Sequence, residues 1–367
     1  MITESDKNHM LRCIALARKG EYSCKPNPLV GSIVVQQDKV IAEGWHRFAG
    51  QVHAEVDVLD KAGEAARGAC LYVTLEPCSH HGRTPPCSDA IIRAGISKVV
   101  YGMIDPNPQV AGNGIARLRE AGIEVVGPVL QEQSAELNPG FIKRMNTGLP
   151  YVRCKMAMSL DGRTAMANGE SKWITGPESR EDVQLWRARS GAIISGIETI
   201  LADDPSLNAR LQKEELIQPL RVVCDSRLRM PASAKMLKLP SKVLLATATD
   251  KVFTAEADAQ AEIALQNFGD SKGKIDLHKL LRYLAKEKEC NEVLIESGST
   301  LAGAFIEQGL VDELLVYVAP KLLGHLGHPL FTIHGLDRIK DQIALEFIDV
   351  SLLGKDCRMR SRLLKNP

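Results

Sequence analysis

Four residues in the first quarter of the chain have the types and the order of a catalytic zinc site. A His-Ala-Glu triplet, His53 to Glu55, is followed by Pro77-Cys78 and then by Cys87. Zinc deaminases that act on nucleobases combine a His-x-Glu motif with a Pro-Cys motif and a second cysteine in this order. We therefore predict that zinc is bound by His53, Cys78 and Cys87. Glu55 is predicted to lie beside the metal without being a ligand.

The residue types indicate what such a site would do. Three protein ligands leave one of the four tetrahedral positions of zinc open for water. Zinc lowers the pKa of that water from about 15.7 toward about 7, so that it attacks as hydroxide at neutral pH. The predicted reaction is attack on an amino-bearing ring carbon. Glu55 is its catalytic residue, because it would take the proton of the water and deliver it to the ring nitrogen and the leaving ammonia.

The loop between the two cysteines leaves alternatives open. Eight residues, Ser79 to Pro86, separate them, whereas the general deaminase motif has two. His80 and His81 lie inside this loop and are rival ligands. A structural zinc site is the other interpretation, but it would normally be closed by a fourth ligand and would leave Glu55 without a role.

Three elements must position these side chains. His53 and Glu55 lie at the start of a predicted helix, which runs to about Arg67. Cys78 follows a predicted strand, Leu71–Leu75, and Cys87 begins a helix that ends near Ala94. Because the N-terminus of a helix favours negative charge, it would stabilise a thiolate there.

Charge and composition exclude several classes of protein. The chain has 367 residues with 46 basic and 45 acidic side chains, a formal net charge of +1. This balance provides no general attraction to nucleic acid or to an anionic membrane, so neither is expected as a partner. No apolar run is long enough to span a bilayer, and the polar N-terminus resembles no signal peptide. The scattered, odd-numbered cysteines argue against disulfides, and we expect a cytoplasmic protein.

The length of the chain favours two domains. Helical and strand periodicity weakens between Gly127 and Pro150, where prolines and glycines interrupt the chain. We therefore predict one domain over residues 1–147 and a second over residues 148–367. Helix and strand patterns alternate in both halves, which is typical of the α/β class. The alanine- and acid-rich segment Thr254–Leu265 is predicted to be a surface helix.

The second half lacks the common dinucleotide-binding motif, since no Gly-x-Gly-x-x-Gly follows a predicted strand. It does contain a strand, Val293–Glu296, followed by the small residues Ser297 to Thr300 and a helix. A loop of this kind lets backbone N–H groups approach a pyrophosphate at the helix N-terminus. Many strand–helix loops contain Gly and Ser, so this pattern alone leaves open both a cofactor site and an ordinary loop.

Several blocks resemble the bifunctional riboflavin-biosynthesis pyrimidine deaminase/reductase family. They are Thr74–Cys87, Pro26–Gly31, His53–Val56, Asp105–Gly112 and Ser159–Ala165. The long loop between the cysteines is itself a feature of that family. The resemblance implies a cytidine-deaminase-like three-layer domain followed by a dihydrofolate-reductase-like α/β domain.

The resemblance also implies two consecutive reactions and two cofactors. The first domain would use Zn²⁺ to deaminate 2,5-diamino-6-ribosylamino-4(3H)-pyrimidinone 5′-phosphate by hydrolysis. The second would use NADPH to reduce the ribosyl group, giving 5-amino-6-(5-phosphoribitylamino)uracil. The partner is then a small phosphorylated pyrimidine, and the family implies a homodimer or homotetramer.

In the deaminase half, the resemblance places four residues around the substrate: Asn27, His46, Asp105 and Asn107. His80 or Arg83 would face the substrate phosphate. Prolines on both sides stiffen the loop of Asn27, whose amide can be offered to a ribose or a base edge. A Pro-Asn-Pro turn is also common without a ligand, and a lone histidine is more often structural than functional.

In the reductase half, the residues that the resemblance assigns to substrate are Lys155, Ser171, Arg187, Leu207, Arg210 and Glu296. Those that it assigns to the cofactor are Ala157, Trp173, Thr199, Asp203, Ser226, Gly298, Ser299, Thr300, Leu301, Ala302, Gly303 and Ala304. The guanidinium groups of Arg187 and Arg210 have the geometry to hold a ribose phosphate. Without the resemblance, Arg187 would be interpreted as part of an exposed helix face and Lys155 as a surface charge.

Two other functions are consistent with the zinc motif. A nucleic-acid or nucleoside deaminase with an accessory domain would be expected to present a basic surface, and the near-neutral net charge argues against it. A non-catalytic zinc protein would have no use for Glu55.

Overall fold

A computed structural model describes residues 2–80, 85–212 and 215–364. His81 and Arg83 therefore lie outside the described residues. The chain divides into two units, one extending to Gly148 and including Glu215–Ile217, the other comprising the rest of the chain from Leu149. Among the described residues, no helix has the length and apolar character needed to cross a membrane.

The first unit is built on a five-stranded sheet. Its strands are β1 (Gly31–Gln36), β2 (Lys39–Trp45), β3 (Cys70–Val73), β4 (Lys98–Tyr101) and β5 (Glu124–Val126), in the order β2-β1-β3-β4-β5. β1 is antiparallel to β2 and β3, whereas β3, β4 and β5 are parallel. Its helices are α1 (Glu4–Ala17), α2 (Ala54–Ala62), α3 (Cys87–Ala94), α4 (Asn113–Glu120), α5 (Gln131–Glu136) and α6 (Pro139–Thr147).

Apolar side chains cover both faces of this sheet. Successive side chains of a strand point to opposite faces, so Ile33 and Val35 of β1 pack with residues of α1, and Val34 packs with residues of α2. The two separate cores make the unit a helix–sheet–helix sandwich. This is the three-layer arrangement predicted for the first domain.

The second unit is built on a nine-stranded sheet, in the order β11-β10-β9-β8-β12-β6-β13-β16-β15, and a separate β14-β7 pair. Its strands are β6 (Tyr151–Ser159), β7 (Arg163–Ala165), β8 (Ala192–Gly196), β9 (Leu220–Cys224), β10 (Lys242–Thr247), β11 (Glu262–Asn267), β12 (Glu292–Ile295), β13 (Glu313–Ala319), β14 (His328–Pro329), β15 (Leu345–Leu353) and β16 (Asp356–Leu363). Its helices are α7 (Pro177–Arg189), α8 (Ile197–Asp203), α9 (Leu277–Lys286) and α10 (Ser299–Glu307). Short 3₁₀ helices occupy Arg18–Gly20, Gly63–Ala66, Lys235–Lys238 and Ile339–Asp341.

Seven neighbouring strands of this sheet are parallel: β11, β10, β9, β8, β12, β6 and β13. The last two strands, β16 and β15, are antiparallel and form one edge. Parallel strands end at the same side of a sheet. The connections from β6 to β8 and from β12 to β13 run in opposite directions across it, so the order of the strands reverses there. In open α/β sheets, ligands bind beyond the carboxyl ends of the strands at such a reversal.

The surface helix predicted over Thr254–Leu265 is wrong. Glu262–Asn267 forms β11 instead, and it pairs in parallel with β10 at the edge of the sheet. The alanine and acidic residues favour a helix only weakly, and the hydrogen-bonding groups of β10 outweigh that preference. The helices α5 and α6 also lie where the sequence indicated only weak periodicity.

A buried cluster of charges joins several strands of the second unit. Glu292 accepts hydrogen bonds from Arg153 and from Arg189, the latter at 2.7 and 3.0 Å. Glu313 accepts from Arg153 at 3.0 Å and from Arg360 at 2.7 Å. Burial by itself would raise the pKa of Glu292, but the charges of Arg153 and Arg189 outweigh it and hold that pKa at about 2.

Replacing Glu292 with glutamine should destabilise the second unit, since it leaves buried guanidinium charge without its anion. The expected loss in the free energy of unfolding is about 3–5 kcal/mol, measured by urea denaturation with Trp186 fluorescence, because the Trp186 ring lies close to Arg153. Glu262→Gln, in an exposed pair with Lys242, should cost less than about 1 kcal/mol. In the parent chain, the contribution of Glu292 is complete above about pH 4.5 and is lost as the pH falls toward 2. Equal losses for the two variants would contradict this account.

Candidate active sites

The starts of two helices and one loop bring the predicted zinc ligands together. His53 is the residue immediately before α2, Cys87 is the first residue of α3, and Cys78 lies in the loop that follows β3. The Nδ1 atom of His53 is 3.1 Å from the Sγ of Cys87 and 3.7 Å from the Sγ of Cys78. All three donor atoms lie within 4.8 Å of one another.

These separations fit a zinc ion. Zn–N and Zn–S bonds of about 2.0 and 2.3 Å in a tetrahedron place the nitrogen and the sulfur about 3.5 Å apart. The sulfur of Cys78 accepts a hydrogen bond from the backbone N–H of Cys87 at 3.3 Å. Hydrogen bonding from Cys87 and His53 lowers the pKa of the Cys78 thiol well below its usual value. Such a thiolate is the form that binds metal.

Within the described part of the chain, no fourth histidine, cysteine or carboxylate completes the group of ligands. His80, which the sequence left open as a ligand, is not part of it, and His81 lies outside the described residues. A site with three ligands and an open position is typical of catalytic zinc, and a closed fourfold site of structural zinc.

Glu55 lies in the first turn of α2 and is only 4% exposed. Burial raises its pKa to about 7, although the neighbouring His53 opposes the shift. A carboxyl group of this kind, next to the zinc ligands, can both accept and release a proton at neutral pH.

His46 and Asn27 form a hydrogen-bonded pair beside the ligands. The Nδ1 of His46 is 3.1 Å from the carbonyl oxygen of Val52, which can only accept, so Nδ1 carries the proton. Burial lowers the pKa of His46 and favours its neutral form. Its Nε2 therefore accepts from the side-chain amide of Asn27, at 2.9 Å. The His46 and His53 rings lie edge to face with centroids 5.3 Å apart. His46 and its partner Asn27, two of the predicted substrate residues, therefore lie near the metal ligands.

Asp105 and Asn107 occupy one loop after β4. Asp105 is buried, and its Oδ1 accepts the backbone N–H of Asn107 at 2.8 Å. Burial raises the pKa of Asp105 to about 6, and the nearby charges of Glu76 and Cys78 contribute. The buried carboxylate of Glu76 holds this loop; its role was not predicted from the sequence, although Glu76 lies in the Thr74–Cys87 block.

In the second unit, three of the predicted substrate residues form one cluster. Glu296 directly follows β12 and accepts two hydrogen bonds from Arg187, at 2.6 and 2.8 Å. The Nζ of Lys155, on β6, is 4.0 Å from Oε2 of Glu296, which also accepts a hydrogen bond from Arg187. Burial would raise the pKa of Glu296, but the charge of Arg187 outweighs it and keeps Glu296 ionised.

The other predicted substrate residues are not members of this cluster of Arg187, Glu296 and Lys155. Arg210 is exposed, and its pKa is lowered by partial burial and by the charge of Arg187. Ser171 is half-buried in the loop before α7. Leu207 is buried in the same core as Ile197 and has a φ of 47°. Their roles stay predictions.

The predicted cofactor residues collect at the carboxyl ends of the parallel strands. Thr199 and Asp203 lie on α8 after β8, Ser226 follows β9, and the segment from Gly298 to Ala304 begins α10 after β12. Ala157 is on β6. Gly303 has a packing role as well, because a Cβ there would overlap the carbonyl oxygen of Thr332.

Trp173 is 66% exposed in the loop between β7 and α7, with the Arg180 guanidinium 4.7 Å from its ring centroid. An ion pair of 3.2 Å between Lys172 and Asp203 ties this loop to α8. An exposed aromatic face at this position is available to a planar ring of a ligand.

Two family models match the chain. Residues 3–103 match the cytidine and deoxycytidylate deaminase zinc-binding region, and residues 150–358 match the RibD C-terminal domain. The riboflavin biosynthesis protein RibD of Escherichia coli is 44% identical over 362 residues, which is 96% of this chain and 97% of that protein. RibD of Haemophilus influenzae is 44% identical over 361 residues, 95% of each chain.

This chain belongs to the RibD family. Solved structures agree. RibD of Acinetobacter baumannii superposes with a TM-score of 0.91 at 46% identity, covering 99% of each chain. A diaminohydroxyphosphoribosylaminopyrimidine deaminase/5-amino-6-(5-phosphoribosylamino)uracil reductase from Thermotoga maritima superposes with a TM-score of 0.86 at 34% identity, covering 98% of this chain and 99% of that one.

Membership of the RibD family confirms the main predictions. The chain is a bifunctional deaminase and reductase of riboflavin biosynthesis, with a cytidine-deaminase-like domain followed by a dihydrofolate-reductase-like one. The two matched domains agree with the predicted cofactors, Zn²⁺ for the deaminase and NADPH for the reductase.

Cobalt(II) should report the thiolate ligands directly. The cobalt-loaded protein should bind one metal per chain and show thiolate-to-metal charge-transfer absorption, because Cys78 and Cys87 both donate sulfur. Cys87→Ser should lose about half of that absorption, because the Cys78 thiolate remains, and should bind the metal at least about tenfold more weakly. Cys70→Ser, a cysteine of the same unit outside the cluster, should leave both unchanged. Retention of the full absorption by Cys87→Ser would refute this ligand set.

Proposed function

We propose that the two units carry out consecutive steps on one phosphorylated pyrimidine. The domain over residues 1–147 deaminates 2,5-diamino-6-ribosylamino-4(3H)-pyrimidinone 5′-phosphate by hydrolysis. The domain over residues 148–367 then reduces the ribosyl group with NADPH, giving 5-amino-6-(5-phosphoribitylamino)uracil. The observation that carries the proposal is the three-ligand group with Glu55 beside it, in a chain whose Thermotoga maritima relative is named for both activities.

In the deaminase step, His53, Cys78 and Cys87 would hold the metal, and zinc bound by three ligands would supply an activated water. The Glu55 carboxylate would take one proton from that water and pass it to the ring nitrogen, and would then take the proton of the added hydroxyl and pass it to the amino group, which leaves as ammonia.

Recognition of the substrate in this domain falls to Asn27, His46, Asp105 and Asn107. Since Nε2 of His46 accepts from the Asn27 amide nitrogen, the amide oxygen of Asn27 remains as an acceptor for a ribose hydroxyl or a base N–H. The neutral form of His46 is essential to this arrangement, because a protonated ring would repel the amide hydrogens. His80 or Arg83 would face the phosphate.

In the reductase step, residues at the carboxyl edge would hold NADPH, the source of the hydride that would reduce the anomeric carbon of the opened sugar. Gly298 to Ala304 would hold the pyrophosphate at the N-terminus of α10, with Ala157, Trp173, Thr199, Asp203 and Ser226 around the rest of the cofactor. The chain itself contributes orientation and the exclusion of water.

The substrate side of this step is formed by Lys155, Ser171, Arg187, Leu207, Arg210 and Glu296. Arg187 donates its paired nitrogens to Glu296, so it fixes the carboxylate that faces the sugar. The exposed Arg210 is free to approach the phosphate from solvent. Lys155 lies near Glu296 and would stabilise the opened sugar.

We also propose that the chain is cytoplasmic and forms a homodimer or homotetramer. The cysteines of the described residues form no disulfide with one another, which suits a reducing compartment. Exposed apolar side chains on the edge strand β15 support self-association: Leu345, Phe347, Val350 and Leu352.

Glu55→Gln separates the two activities. Ammonia release from the diaminopyrimidine should fall by about 10²–10⁴-fold, because the substituted amide cannot take the proton. Zinc content should be unchanged, and NADPH oxidation with the deaminated intermediate should proceed at the parental rate. Full ammonia release by this variant would disprove the proposed deaminase mechanism.

Glu296→Gln tests the second site. NADPH oxidation should require at least about tenfold more of the deaminated intermediate, since a hydrogen bond to a charged group contributes about 1.5–3 kcal/mol. Ammonia release should be unaffected. Glu287→Gln, a residue at the end of α9 in the same unit, serves as the control and should leave both reactions unchanged. An unaltered KM in Glu296→Gln would argue against a substrate role for this cluster.

A further inference from the structure

We infer that Glu76 is a positioning residue of the deaminase site. Its carboxylate holds the loop of Asp105 and Asn107 against the loop that presents Cys78. This inference rests on the proposed deaminase function, and it assigns a role to a residue that does not belong to the group of candidate metal ligands among the described residues.

Four backbone N–H groups donate to this one carboxylate. Oε2 accepts from Asp105 at 3.2 Å and from Gly112 at 2.9 Å. Oε1 accepts from Gly114 at 3.0 Å and from Ile115 at 3.2 Å. The side chain is only 2% exposed. A carboxylate buried to this degree must be satisfied by hydrogen bonds, and these four satisfy it.

The helix that it contacts cannot satisfy these groups by itself. α4 begins after Gly112, which has no side chain to cap the first turn and has a φ of 91°. The first N–H groups of a helix lack partners within the helix. Glu76 reaches them from the loop after β3, and its negative charge also suits the positive end of α4.

The same contact joins the two loops of the active site. A Cβ at Gly114 would overlap the carbonyl oxygen of Pro77, so α4 approaches the Pro77-Cys78 peptide as closely as backbone allows. On the other side, Glu76 binds the N–H of Asp105, whose side chain in turn holds the N–H of Asn107. One carboxylate therefore sets the distance between a metal ligand and two substrate-binding residues.

Glutamine at position 76 would test this arrangement with little change in size. Its amide keeps one acceptor oxygen but turns an NH₂ group toward two N–H donors, so half of the contacts are lost. For Glu76→Gln, the KM of deamination should rise by about tenfold or more while kcat changes less. Zinc content and the rate of NADPH oxidation with the deaminated intermediate should stay at parental values.

Glu120→Gln is the matched control, because it removes one exposed negative charge from the far end of the same helix. Glu120→Gln should leave the KM of deamination and the KM of the reductase reaction unchanged. If Glu76→Gln does not fold, Glu76→Asp, which keeps the charge on a shorter side chain, is judged by the same criterion.

A double-mutant cycle with Asn107→Ala distinguishes positioning from a general loss of stability. If Glu76 acts through the Asn107 loop, the KM of the double variant should be no higher than that of the single variant with the larger KM. A KM equal to the product of the two single effects would overturn the inference, as would loss of zinc or of reductase rate in Glu76→Gln. If the parent enzyme releases no ammonia, the deaminase proposal fails irrespective of Glu76.

Discussion

The imidazole of His53 and the sulfur atoms of Cys78 and Cys87 must occupy one small volume, and most of the first domain is arranged to meet this requirement. The three residues come from separate elements, so the starts of α2 and α3 have to lie beside the end of β3. The first backbone N–H of α3 donates to the sulfur of Cys78, and the first turn of α2 carries Glu55 into the same space. The apolar residues of α2 and α3 pack on one face of the sheet and hold both helix starts in place.

Sequence reasoning predicted this part of the structure well because ligand chemistry constrains local elements. A histidine before a helix and a cysteine that begins one are visible in the order of the residues, and α3 was predicted with its observed bounds. The general arrangement of the second domain followed from its alternating strands and helices. Its assignment to the predicted substrate and cofactor depended on the resemblance.

What sequence reasoning missed depends on contacts between distant segments. The partners of Glu76 lie 29 to 39 residues further along the chain, and nothing local marks a glutamate as a cap for another segment's helix. The same limit explains the wrong helix over Thr254–Leu265, since pairing with β10 determines that segment. The pairing of Arg187 with Glu296 was likewise hidden, because it joins a helix to the end of a distant strand.

The two chemistries need different environments, and each unit has its own core and its own site. The deaminase needs a metal and a proton carrier, whereas the reductase needs a cofactor along the carboxyl edge of a parallel sheet. The most direct test is to follow ammonia release and NADPH oxidation in one sample, starting from the diaminopyrimidine substrate. The account predicts that NADPH oxidation lags behind ammonia release and reaches an equal total. Immediate NADPH oxidation without ammonia release would contradict it.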